Sequence, residues 1–261
     1  MPGTPSYDGL RAFGLFVGPN RSGSSLVGAL LDAHAQALIA HELDAFEDRG
    51  STGRLGYADR EALFAAIAEN SARAARKGRK GRRRGGDVSY AVPGLHQGDV
   101  ESLRVIGTKR ANRTMVALEH NPRALEALEE QVLIPLRLIH LIRNPFDNVA
   151  SMTPVDEPLM RVERYVQLIG MVNALKDAGW PLKDVYLEEV IADPRSELAA
   201  LCEFLDLKPA EDYLAGCASI VEDEPNESRH GRAWTDEEVA TLTGLIDDVP
   251  WLGRYAGAEI R

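Results

Sequence analysis

Between an apolar run at residues 13–17 and a helical pattern beginning near Ser24, the chain reads Gly18-Pro-Asn-Arg-Ser-Gly-Ser-Ser25. A buried strand that breaks into a glycine-rich turn and resumes as a helix constrains the fold strongly, because it commits the chain to a strand–loop–helix unit of an α/β sheet. Glycines at 18 and 23 permit a tight turn in which successive N–H groups and the positive end of the following helix converge on one anion. The spacing is that of the phosphate-binding P-loop: two glycines with four residues between them, then two more positions. Ser24 stands where that loop has its lysine. The lysine serves a triphosphate whose outer phosphates carry the developing charge. Its absence argues against ATP or GTP hydrolysis and leaves room for a donor with a single 5′-phosphate anhydride. Arg21 would supply a fixed charge and a planar donor fork there.

At 261 residues with 44% hydrophobic content the chain suffices for one large core. We expect a single domain over residues 1–261. Residues 1–13 hold no basic segment followed by an apolar run, and no apolar stretch approaches a membrane span, so the sequence reads as cytoplasmic. Cys202 and Cys217 show no metal-ligand spacing, and neither do His34, His96 and His120; no metal is expected. The formal charge is -10, yet residues 73–84 hold eight Lys/Arg and no acid. This tract, RAARKGRKGRRRGG over residues 73–86, reads as a flexible basic insertion, either an exposed loop or a frayed helix end. A clamp for an anionic acceptor is the sharper alternative. Nucleic acid is disfavoured, since the tract lacks interleaved aromatics and the chain is acidic.

Strand candidates at residues 13–17, 37–40, 103–107, 135–142 and 184–187 alternate with helical patterns at 24–34, 59–76, 122–131, 145–151, 159–176 and from 194. The last helix opens on Thr235-Asp-Glu-Glu238, a capping-box pattern. Such alternation predicts an α/β fold: a P-loop-like domain with a mostly parallel central sheet and helices on both faces. Ligands of such sheets bind beyond the strand C-termini. That rule singles out His41, Glu42 and Asp44 after the second strand, and Lys109 after the third. It also marks Arg143, eight residues before Ser151. Taken alone, Arg143 reads as a strand-end arginine pairing Asp147, with Ser151 facing solvent.

Together the two segments resemble sulfotransferases that use 3′-phosphoadenosine-5′-phosphosulfate (PAPS). GPNRSGSSLVGALL at residues 18–31 is similar to that family's 5′-phosphosulfate loop in its bacterial Arg-Ser-Gly form. LIHLIRNPFDNVAS at 138–151 is similar to its 3′-phosphate segment. Tyr186 in VYLEEVIADP and the late segment Ser228-Arg-His-Gly-Arg232 extend the resemblance. The resemblance implies a sulfuryl transfer from PAPS to a hydroxyl or amine, leaving adenosine 3′,5′-bisphosphate, without a metal. Arg21, Ser22, Gly23, Ser24 and Ser25 would then hold the 5′-phosphate. Arg143, Ser151, Arg229, His230 and Gly231 would hold the 3′-phosphate, and Tyr186 would lie in the nucleotide site.

Lys109 resembles the family's lysine near the sulfuryl oxygens, although Gly-Thr-Lys-Arg here replaces the Gly-Asp-Lys of many bacterial relatives. An acceptor hydroxyl needs a base. Glu42 is the choice by resemblance, and His41 is the rival because an unperturbed imidazole titrates nearer neutrality. Adjacent residues on a strand face opposite ways, so one of the two serves. The acceptor is expected to be a small molecule or a glycan, in a cavity built from residues 44–110 and 152–180. Tyr90, Trp180 and Trp234 are either stacking platforms for it or interior packing. Two other readings stay open: a small-molecule kinase with a degenerate P-loop, and a non-catalytic nucleotide- or nucleic-acid-binding module using the basic tract. A kinase should offer a strand ending in an acidic magnesium ligand, whereas the most apolar strand here ends in Arg143.

Overall fold

The structure is a computed structural model that describes residues 6–47, 51–83, 86–95, 97–98, 100, 102–152 and 159–258. Strand β1 (Ala12–Val17) runs into the glycine turn and α1 (Ser24–Asp32), which returns to β2 (Ala37–His41). Helix α2 (Arg60–Arg76) leads to an antiparallel hairpin of β3 (Lys80–Arg83) and β4 (Gly86–Ser89). Next come β5 (Val105–Lys109), α3 (Ala111–His120), α4 (Ala124–Val132) and β6 (Leu136–Ile142). They are followed by α5 (Pro145–Ser151), α6 (Leu159–Asp177), β7 (Leu182–Tyr186) and α7 (Leu187–Ala192). Helices α8 (Pro194–Phe204), α9 (Glu211–Ala218) and α10 (Asp236–Asp248) complete the domain.

The main sheet has the order β2-β5-β1-β6-β7, and every neighbouring pair is parallel. The chain starts at the centre with β1, goes to the edge with β2, returns with β5 and then crosses to β6. A crevice therefore opens beyond the C-terminal ends of β1, β5 and β6, where the strand order reverses. Residue parity assigns the two faces: Phe13, Leu15 and Val17 pack with α2 to α6 and α10, while Ala12 and Phe16 pack with α1, α8 and α9. With both faces covered, the inner strands read as mainly apolar runs, whereas edge strand β7 carries Lys183 and Asp184. Among the described residues no helix is long and apolar enough to cross a membrane.

Helix starts follow the chemistry of the sequence. The Asp59 carboxylate accepts from the Ala62 N–H at 2.8 Å, and Asn144 caps α5 with Pro145 in its first turn. At α10 the Thr235 hydroxyl accepts from the Glu238 N–H at 3.2 Å, and the Glu238 carboxylate accepts from the Thr235 N–H at 3.0 Å. Replacing Thr235 with alanine leaves one of these donors unsatisfied, so the protein should lose about 1 kcal/mol in denaturant melts.

The structure departs from the sequence reading in five places. β5 covers Val105–Lys109 rather than 103–107, so Lys109 ends the strand instead of following it. Helices α3, α7 and α9 carry no cap signal that marks them. β7 starts at Leu182 and hands over to α7 at Leu187, so residue 187 is helical. Helix α4 starts at Ala124, two residues after Pro122. The basic tract is not a loop: α2 extends to Arg76, a turn follows, and Lys80–Arg83 is a hairpin strand. Arg79, within it, is 1% exposed and forms an ion pair with the fully buried Asp32. The Ser71 hydroxyl donates to the same carboxylate at 2.7 Å and the Ile39 N–H at 2.6 Å. Burial pulls the Arg79 pKa down to about 10, so it stays charged at neutral pH. One member of an apparently solvated run thus fastens α1, α2 and β2 together. Residues 84 and 85 lie outside the described residues.

Candidate active site

The turn after β1 needs its glycines for conformation and for space. Gly18 has φ 99°, and a Cβ there would lie 2.6 Å from the His140 ring. Gly23, with φ 97°, starts α1, and a Cβ there would lie 2.6 Å from Leu187. Ser22 is buried, and its hydroxyl donates to the Pro19 carbonyl at 3.0 Å, bracing the turn from inside. Among the described residues the N–H groups of Gly23, Ser24 and Ser25 meet no acceptor, and the first turn of α1 holds no acid. Three free donors at a positive helix end make an anion cradle. His140 backs this cradle. Its Nδ1 meets the Asp184 carboxylate at 2.8 Å, and its pKa is lowered by burial, with Asp184 pulling the other way.

Arg143 leaves the end of β6 and lies beside the turn, 7% exposed. Its Nη1 donates to the Ser151 hydroxyl at 3.0 Å and to the Arg21 carbonyl at 3.3 Å. Its Nη2 donates to the Asn226 carbonyl and, at 3.2 Å, to the Ser228 hydroxyl. Arg21, itself at φ 66°, closes the ring by donating from Nε to the Ser151 carbonyl at 3.1 Å. The Asn148 amide on α5 donates to the Asn20 carbonyl at 2.6 Å. Arg21 and Arg143 therefore share one site rather than separate surfaces. Burial lowers the Arg143 pKa, opposed by Asp147 and Glu188.

The ends of β2 and β5 add a charged pair. The Glu42 N–H continues the ladder by donating to the Lys109 carbonyl at 3.2 Å, after which Glu42 turns into the left-handed region at φ 57°. A non-glycine residue held there is strained, a condition that clusters at functional sites. Lys109, 3% exposed in its side chain, forms an ion pair with Glu42 and donates to the Ser25 hydroxyl at 3.0 Å. Arg110 reaches the other Glu42 oxygen at 3.4 Å and pairs with Asp44. Burial alone would raise the Glu42 pKa, but the charge and hydrogen bond of Lys109, then His41 and Arg110, hold it below the ordinary carboxylate value. Lys109 is pushed down by burial, with Glu42 pulling against it. His41 is lowered to about 4 by burial first and Lys109 second, so it is neutral near pH 7.

These groups open onto one cleft of about 950 Å³. Arg21, Gly23, Ser24, Ser25, Glu42, Lys109, Arg143 and Ser151 all line it, and His41 does not. Five residues expected at the nucleotide do not line it: Ser22, Tyr186, Arg229, His230 and Gly231. The Tyr186 hydroxyl donates to the Trp251 carbonyl at 2.9 Å, outside the cleft, and the next residue, Leu187, lines it instead. Arg229 donates from its N–H to Asp147 at 2.7 Å and pairs through its side chain with Asp147 and Glu227. Asp147 thus holds Arg229 and not Arg143, and fastens the 3₁₀ turn Ser228–Gly231 onto α5. His230 pairs with Glu227 at 3.3 Å, and neither it nor Gly231 lines the cleft. Asn226 and Ser228, immediately before Arg229, take the places beside Arg143.

Of the aromatics, Tyr90 lines the cleft, Trp180 packs on the core, and Trp234 packs on Phe146 with Arg232 stacked over it. The cleft walls also come from Glu222, Glu224, Asn226, Ser228, Arg232 and Ala233 and from Ala111, Asn112 and Arg113, outside the expected acceptor ranges.

A family model described as the sulfotransferase family matches residues 15–212. Among curated proteins none matches the sequence significantly. The sulfotransferase domain of the Synechococcus PCC 7002 olefin synthase is similar in structure at 15% identity and TM-score 0.50, over 95% of this chain and 99% of that one. Sulfotransferase STF9 from Mycobacterium avium is similar at 12% identity and TM-score 0.50, over 97% of this chain and 79% of that one. At such identities these two likenesses speak for the fold. The family match runs from within β1 to the start of α9, including the glycine cradle, the Glu42–Lys109 pair and Arg143, and the chain belongs to the sulfotransferase family.

Proposed function

We propose that the enzyme moves a sulfuryl group from PAPS to a hydroxyl or amine of a small-molecule or glycan acceptor. The observation that carries this reading is the convergence of two cationic cradles on one cleft: the free N–H groups of residues 23–25 with Arg21, and Arg143 with Ser151. The donor set fits a nucleoside phosphorylated at two positions. A lone 5′-phosphate would leave the buried Arg143 guanidinium, with its planar fork, without an anionic partner.

PAPS, when bound, supplies a sulfuryl group on a phosphate leaving group. The residues of the chain then position and stabilise, as in phosphoryl transfer. The cradle N–H groups and the hydroxyls of Ser24 and Ser25 stabilise charge on the departing phosphate. Arg143 and Ser151 fix the other end of the nucleotide through its 3′-phosphate. Lys109, linked to both Ser25 and Glu42, sits between cradle and base and offsets charge on the transferring group. Glu42, ionised and facing the cleft, takes the acceptor proton.

The test is a thermal-shift series with adenosine 3′,5′-bisphosphate, AMP, ADP and ATP. A ligand at a hundred times its Kd stabilises by about 2.7 kcal/mol. We expect that order of effect from the 3′,5′-bisphosphate at concentrations where the other three do little. Equal or better stabilisation by ATP would instead favour a kinase.

A further inference from the structure

Basic side chains along the cleft outnumber acidic ones seven to three, on a chain whose formal charge is -10. Most of these cations have partners or assigned work. Lys109 and Arg110 pair with Glu42, and Arg110 also with Asp44. Arg232 pairs with Glu238, and Arg21 and Arg143 form the nucleotide cradles. Two remain. Among the described residues, neither Arg113 nor Arg161 makes a side-chain hydrogen bond or ion pair, and the Arg161 Nε is buried without an acceptor.

Their surroundings are also suited to an anion. Arg113 lies in the first turn of α3, beside Ala111 and Asn112, which line the cleft as well. That turn holds no acid, Arg110 provides no side-chain cap, and the N–H groups of residues 111 and 112 meet no acceptor among the described residues. Positive helix end and guanidinium therefore act in the same direction. Arg161 belongs to α6, which is tied to α3 where Glu119 pairs with Arg164 and accepts from Gln167 at 2.8 Å. The acids Glu222 and Glu224 line the cleft on the segment leading to Asn226, the partner of Arg143, and neither forms an ion pair with Arg113 or Arg161 among the described residues.

We infer that Arg113 and Arg161 hold an oxyanion of the acceptor, so that the substrate is a hydroxyl or amine compound that also carries a carboxylate, phosphate or sulfate. The inference rests on the sulfotransferase reading of the cleft. Helix α3 continues directly from β5, so Arg113 lies four residues beyond Lys109, and an anion held there presents the rest of the acceptor to Glu42 and Lys109. A guanidinium N–H buried without an acceptor is costly in the free protein and is satisfied in the complex.

The experiment saturates the protein with adenosine 3′,5′-bisphosphate and adds inorganic sulfate, phosphate or acetate against chloride at equal ionic strength, following the melting temperature. At least one oxyanion should stabilise the wild type beyond chloride, and the double variant Arg113→Gln/Arg161→Gln should weaken its apparent affinity about tenfold or more. Unchanged stabilisation by the nucleotide shows that the variant is folded. The inference is overturned if no oxyanion exceeds chloride, or if the effect survives in the double variant, which puts the ion at Lys109 and the cradle. Failure of the nucleotide to stabilise the wild type, with oxyanion binding still lost in the double variant, removes the donor assignment and leaves the arginine site standing.

Discussion

Replacing Arg143 with alanine should erase the discrimination between adenosine 3′,5′-bisphosphate and AMP. The guanidinium is 7% exposed and already oriented by Ser151, Ser228 and two carbonyls, so little entropy is lost when it grips a phosphate. Charge-assisted hydrogen bonds of this type contribute about 1.5–3 kcal/mol each. Two of them predict a loss of about 100-fold or more in affinity for the bisphosphate. AMP lacks the group that Arg143 serves and should lose far less. The ratio of the two affinities is the informative readout, because Arg143 also ties down Asn226 and the Arg21 carbonyl, and its removal will lower stability without any ligand. Arg143→Lys keeps the charge without the fork and should fall between the two proteins. A variant that still prefers the bisphosphate over AMP by the wild-type factor would remove Arg143 from the nucleotide site.

The residues that were legible in the sequence are those whose geometry is set within one short segment. Gly18 and Gly23 fix a turn over six residues; Arg143 and Ser151, eight residues apart across one strand end and two helical turns, are marked as a pair by the family resemblance, since taken alone the segment reads as Arg143 pairing Asp147. Strand parity says only that one of Glu42 and His41 serves; resemblance selects Glu42, which lies just beyond β2 in the left-handed region. What the sequence hid depends on partners brought from far away. Arg229 is expected at a phosphate, and its pairing with Asp147, 82 residues earlier, could not be read from the sequence. Arg79 looked like one more solvated charge, but its partner Asp32 lies on α1. Helix α3 begins without a capping side chain directly after a strand, so neither it nor the orientation of Arg113 could be read from periodicity. Tyr186 ends β7 one residue before the expected strand end, and its hydroxyl is held by a carbonyl at position 251.

Glu42→Gln should leave adenosine 3′,5′-bisphosphate binding within a few-fold of the wild type and slow transfer by about 10²–10⁴-fold, the range for loss of a general base. Transfer is read as label passing from a labelled PAPS donor into an acceptor pool that the wild type sulfates. The amide keeps the shape of the side chain and can still meet Lys109, but it cannot take a proton. The pH dependence follows from the direction of the shift. A carboxylate held below its ordinary value is ionised throughout the neutral range, so the rate should stay level as pH falls and drop only below the usual carboxylate range. The same sign governs stability: the Glu42–Lys109 pair contributes above the unfolded-state pKa of glutamate, and its contribution is lost as pH falls through the depressed folded value. An imidazole lowered to about 4 would give an acid limb at much the same pH, so the profile by itself does not separate His41 from Glu42. Substitution does. His41→Asn should retain transfer within a few-fold, because His41 does not line the cleft, and its backbone N–H, which donates to the Asn70 side chain at 2.8 Å, is unchanged by the substitution. Undiminished turnover in Glu42→Gln, together with a collapse in His41→Asn, would reverse the assignment.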